Sequence, residues 1–167
     1  MKQKRVKKHN EGLQGLTYGA MSSVIVVSAI IAGLSVIENR LLLFLGVIIT
    51  GVGDALADAA GFHVSEETEL FHKQREVWKS TFFVFISKIV VVAILLAPIL
   101  FLELHIATVI SLIVALILII LISVMVCRVN KKFVCWKLSL EYIFFAVVIV
   151  LISYGLGRLV SHFIGNI

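Results

Sequence analysis

Five apolar runs, each about 20 residues long, divide this chain almost from end to end. They are Leu16 to Ile37, Leu41 to Phe62, Ser80 to Leu102, Ile106 to Val126 and Tyr142 to Ile164. An α-helix rises about 1.5 Å per residue, so each run matches the ~30 Å hydrocarbon core of a bilayer. Lipid offers no hydrogen bonds, which leaves only helices and closed barrels as spanning structures. Barrel strands are segments of about ten residues with strict alternation, whereas Val109 to Val126 is apolar almost without interruption. The expected fold is therefore an all-α integral membrane protein, a single domain of five transmembrane helices over residues 1–167.

Composition closes off the alternatives. Of the 167 residues 60% are hydrophobic and 15% charged, and the mean hydropathy is +1.10. A soluble domain is about half apolar and roughly a quarter charged, so this chain has too little polar surface for water. Two cysteines, Cys127 and Cys135, build no disulfide framework, and their spacing is unlike a CxxC pair, so free thiols in a reducing compartment are expected. The first run follows Lys2, Lys4, Arg5, Lys7 and Lys8, as a signal peptide core does. It exceeds the roughly 7–15 apolar residues of such a core and has no clear cleavage site, so it is read as a mature helix.

The basic residues set the orientation. Five of the 15 Lys and Arg lie before the first run, three (Lys73, Arg75, Lys79) between runs two and three, and four (Arg128, Lys131, Lys132, Lys137) between runs four and five. The other two loops contribute only Arg40. The positive-inside bias then places the N-terminus in the cytoplasm and, after five crossings, the C-terminus outside. The net charge of +5 is explained by this topology, with the basic tail near anionic lipid and no nucleic-acid partner required. The expected location is the cell membrane, as a multi-pass protein. Loops at 38–40 and 103–105 read as tight turns, and Val129 to Glu141 as a basic connector whose Trp136 suits the interface. His63 to Lys79 has no helix breaker, so helix two is expected to continue past the membrane surface.

Charges inside a bilayer cost roughly 2.5–3.5 kcal/mol each on insertion scales and mark functional sites by default. Asp54, Asp58, Lys88 and Arg158 lie within the runs. Arg158 is close enough to the end of helix five to reach the interface. Asp54 and Asp58 are one helical turn apart, about 6 Å along the axis, and together can hold a hard divalent cation or share a proton. Asp54 is eight residues from Phe62 and Lys88 eight from Ser80, which puts both at similar depth. A neutralising ion pair that sets helix packing is one reading. A role in ion or proton movement is the other, because one lysine cannot neutralise two aspartates. Below them His63 with Glu66, and Glu69 with His72, are spaced i, i+3, a His and carboxylate set suited to Fe²⁺, Mn²⁺ or Zn²⁺. The same pattern also describes a solvated helix face. Glu66, Glu67 and Glu69 would concentrate cations at the mouth of a path. His105 and His162 read as interface residues.

Several segments resemble the vacuolar iron transporter family. Tyr18-Gly19-Ala20-Met21-Ser22-Ser23, continuing to Ala29-Ile30-Ile31-Ala32-Gly33, is similar to its first-helix pattern FGLNDG…AVVAG. The run from Asp54 to Glu69 resembles its second-helix signature DGxSMGxGxYLSxxSE, with Asp54, Gly61, Ser65 and Glu69 on matching positions. Ala93 to Pro98 is similar to its GAxxP, and Tyr154 to Arg158 to its YxxGR. The resemblance implies export of Fe²⁺ or Mn²⁺ from the cytoplasm. Ser22 stands where the family has an aspartate and Asp58 where it has a methionine, a swap that favours harder ions. The family's cytoplasmic metal-binding insertion is lacking, because His63 to Lys79 is too short for it, and Lys88 has no family counterpart.

The function expected from these features is a secondary transporter expelling a divalent metal in exchange for protons, with metal as substrate and no cofactor. Asp54, Asp58, His63, Glu66, Glu67, Glu69 and His72 are its candidate ligands, with Ser22 and Lys88 as pathway or counter-ion residues. The alternative is a non-transporting scaffold or accessory subunit in which Asp54, Asp58 and Lys88 form a structural ion pair. No GxxxxGK[ST] motif offers coupling to ATP, and no nucleophile-and-base set or HExxH motif suggests an enzyme. Gly15, Gly19 and Ser23 repeat every four residues, as do Gly53, Ala57 and Gly61. Small faces let membrane helices approach closely. The first stripe is expected at a homodimer axis, as in the family, and the second inside the protomer.

Overall fold

The computed structural model describes residues 11–68, 74–129 and 134–164. Their elements are α1 (Glu11–Ser35), α2 (Arg40–Glu67), α3 (Gln74–Phe101), α4 (Leu104–Val129) and α5 (Cys135–Ile164). All five are long and apolar enough to span a membrane, which makes the chain a multi-pass membrane protein. The helices outrun the apolar segments. α2 continues to Glu67, as the absence of a breaker predicts, while α3 begins at Gln74 and α5 at Cys135, ahead of Ser80 and Tyr142. Polar residues at a membrane surface need not leave the helix, since water satisfies their side chains while the backbone keeps its own bonds. The connector before α5 is accordingly shorter than expected, and exposed Trp136 lies on the first turn of α5.

The α1–α2 turn has specific chemistry. Asn39 caps α2 by accepting a 3.0 Å hydrogen bond from the Leu42 amide, and Glu38 takes a left-handed φ of 54° without being glycine. Arg40 donates to the Leu102 carbonyl, tying this turn to the end of α3.

α1 is the most buried span and α5 the least, and α1 packs on all four other helices. The core gathers Val24, Val27 and Ile31 of α1 with Leu43 and Val47 of α2, and Leu95 and Ile99 of α3. Large apolar side chains such as Leu41, Phe101 and Phe163 point outward, as lipid-facing residues do.

The glycine stripes are used in the reverse of the expected sense. A Cβ on Gly15 would collide with the Ser80 carbonyl, and one on Gly19 with Ser87 Oγ and the Val84 carbonyl. Ser23 is buried and donates to the Lys88 carbonyl at 3.3 Å. The first stripe therefore seats α1 against α3 inside the protomer and is not free to form a dimer axis. Physically, the central helix has neighbours on every side, and its smallest face meets the small Ser80 and Ser87 ridge of α3. On α2, Gly53 and Gly61 have no neighbour at the Cβ position and Ala57 is exposed, so the second stripe faces outward.

Candidate functional site: a buried lysine between two aspartates

Lys88 is fully buried on α3, and its backbone carbonyl accepts from Ser23 of α1. Its Nζ meets Asp54 Oδ2 and lies 2.6 Å from Asp58 Oδ2, so the ammonium bridges both carboxylates of α2. The two aspartates are about a quarter exposed, 26% and 25% by side chain. Ser22 of α1 donates to the same Asp58 Oδ2 at 2.9 Å. Three helices thus contribute to one cluster, with one formal positive charge against two negative. The i, i+4 spacing of the aspartates places both beside one ammonium, and the common depth of Asp54 and Lys88 is as the sequence predicts.

Toward the end of the bundle where α1 begins, polar side chains are interspersed among apolar ones, and toward the other end the packing is apolar. Tyr18, one turn before Ser22, lies near Asp58, and its ring packs on Phe62 with centroids 5.4 Å apart. A cavity of about 460 Å³ opens between α1, α4 and α5; its wall is mostly apolar, with Gln14, Thr17, Tyr18, Ser22 and Tyr142 interspersed. Ser22 therefore stands between this cavity and Asp58. Beyond Asp54 the α1–α2–α3 interface is closed by Val27, Ile31, Leu43, Val47, Leu95 and Ile99, all fully buried.

The His and carboxylate residues nearer the end of α2 are arranged differently from the expected i, i+3 pairs. His63 Nε2 lies 3.3 Å from Glu67 Oε1, one turn on, and its Nδ1 lies 2.9 Å from Thr81 Oγ1. Thr81 itself donates to the Val77 carbonyl at 2.9 Å, and the His63 ring packs on Trp78 at 4.5 Å. Glu66 is buried on the other side of α2, where it accepts a 3.3 Å hydrogen bond from Gln14 of α1. At about 100° per residue, position 67 falls nearer the His63 direction than 66 does, and the arrival of α1 draws Glu66 away. Glu69 and His72 lie outside the described residues. Among the described residues, no three His, Cys, Asp or Glu side chains gather as a metal would require.

The places of Tyr18, Gln14 and Thr81 beside the charged residues escaped the sequence reading. Each is uncharged, and only the tertiary packing sets it beside a carboxylate or imidazole. Cys127 is buried and Cys135 exposed, and both are free thiols. Arg158 is exposed on α5.

The fold and site define a five-helix membrane protein with a lysine-bridged carboxylate pair within its spans. Comparison with protein-family models, curated proteins and solved structures finds no match.

Proposed function

We propose that this chain is a secondary transporter that exports a divalent transition metal, Fe²⁺ or Mn²⁺, from the cytoplasm in exchange for protons. In this reading the N-terminus and both basic loops are cytoplasmic, so the 460 Å³ cavity is the cytoplasmic vestibule. The observation that carries the proposal is the bridging Lys88, whose Nζ stands where a cation held by both Asp54 and Asp58 would stand. The surplus carboxylate charge attracts a cation or a proton, and a four-carbon stem lets the ammonium withdraw when one arrives. The metal itself comes from the family resemblance, which Asp54 matches in the second-helix signature. The cytoplasmic turns carrying His63, Glu66 and Glu67 serve as the approach to the vestibule, through charge rather than as a closed ligand shell.

Exchange predicts that metal entering one side of a vesicle moves protons toward the other. Proteoliposomes loaded with a pH-sensitive dye and given Mn²⁺ should show protein-dependent proton movement that Asp54→Asn abolishes. Mn²⁺ flux with no proton movement would remove the exchange, and no flux would remove the transporter.

The complete burial of Lys88 and its contact with both carboxylates favour a second reading. There the cluster is a structural triad that locks α2 to α3, and the chain is a scaffold or accessory subunit. A buried pair of this kind is destabilised far more by loss of one partner than by loss of both.

A further inference from the structure

At the end of the bundle opposite the vestibule, α2 and α5 both pack on α1 and leave a groove of about 670 Å³. Its walls are Ile30, Leu34 and Ile37 of α1 with Leu156 and Val160 of α5. α1 and α5 cross closely at glycines along the groove: a Cβ on Gly157 would collide with the Gly33 carbonyl. The volume falls within the roughly 300–1,000 Å³ that accommodates a bound ligand. Almost all of the wall is apolar, with the Thr50, Ser153 and Ser161 residues interspersed.

Arg158 flanks this groove. It follows Gly157 in the chain and stands one turn before Ser161, both of which line it. The side chain is exposed on a membrane-spanning helix and makes no ion pair or hydrogen bond among the described residues. A guanidinium keeps its charge at any physiological pH, and from its place near the end of α5 that of Arg158 reaches the interface, where lipid phosphates lie.

We infer that the groove between α1, α2 and α5 binds one anionic phospholipid, with an acyl chain along the apolar floor and the phosphate on Arg158. Guanidinium and phosphate match in a two-pronged geometry that an ammonium cannot reproduce. The apolar walls exclude a free phosphate as occupant, since it would leave the groove empty. This site is independent of whether the Asp54, Asp58 and Lys88 cluster transports.

The test offers the full-length protein, in mild detergent, an equal mixture of phosphatidylglycerol and phosphatidylcholine with the same chains, and counts retained lipid by native mass spectrometry. One phosphatidylglycerol should be kept per protomer, with a preference of about fivefold for one arginine near the headgroups. Arg158→Gln, at an exposed position, should remove the preference while still retaining some lipid of either kind. Arg158→Lys should keep part of it, and Ser161→Phe, which fills the groove, should lose both lipids. Equal retention of the two lipids by the unmodified protein, or an unchanged preference in Arg158→Gln, overturns the inference. So does a lipid-free dimer. Circular dichroism of the variants separates loss of binding from loss of helix.

Discussion

At the scale of single residues the molecule turns on how one ammonium serves two carboxylates. Lys88 is fully buried, and Asp54 and Asp58 both reach its Nζ. Ser22 then takes up part of the remaining acceptor capacity of Asp58. Ser22→Ala should cost about 1 kcal/mol of stability in detergent, the usual range for a polar contact between membrane helices. Thermal unfolding of the variant against the unmodified protein checks this, and no shift would mean that water replaces the hydroxyl. The contact between Lys88 and Asp54 was legible before the structure, because equal depth on adjacent helices can be counted from the apolar boundaries. The partner of Glu66 was not. A helix sequence gives the angle between Glu66 and His63 but not that Gln14 of α1 waits on the other side.

At the scale of elements, close approach and its direction separate. A repeat of small residues signals that a backbone can come near, yet it does not say which helix will come. α1 spends its stripe on α3, while that of α2 remains open. Alanine at Gly15 or Gly19 should therefore destabilise the protein by about 1–3 kcal/mol, as overpacking does. Alanine at Gly53 or Gly61 should stabilise it by about 0.5–1 kcal/mol through helix propensity alone. Thermal melts of the four variants measure the contrast, and a loss at Gly53 or Gly61 matching that at Gly19 would show that α2 carries a hidden contact. Element existence was readable because apolar length and bilayer thickness are the same quantity. Element ends were less so, since α3 and α5 keep their helical hydrogen bonds through polar turns that a hydropathy boundary cuts away.

At the scale of the whole molecule, a cavity between α1, α4 and α5 reaches Ser22 from one end of the bundle, and toward the other end the α1–α2–α3 interface is closed by apolar packing. The orientation proposed from the basic loops puts the cavity end in the cytoplasm, and Cys135 tests it directly. It is exposed at the start of α5, whereas Cys127 is buried. A membrane-impermeant maleimide should label Cys135 in inside-out vesicles and not in intact cells, and Cys135→Ser should remove the signal. Labelling from outside would invert the topology and, with it, the direction of transport.

The central claim is that the Asp54, Asp58 and Lys88 cluster moves a cation rather than only joining helices. The most direct measurement is a double-mutant cycle of Asp54→Asn and Lys88→Met, followed by thermal stability and by Mn²⁺ flux in proteoliposomes on the same preparations. A transport site predicts Mn²⁺ flux in the unmodified protein and its loss in Asp54→Asn while the fold persists. It also predicts tighter metal binding with slower release in Lys88→Met. A purely structural triad predicts that either single change costs about 3–5 kcal/mol and that the double change restores most of it. Full recovery of stability in the double variant, together with no Mn²⁺ flux in the unmodified protein, would contradict the account.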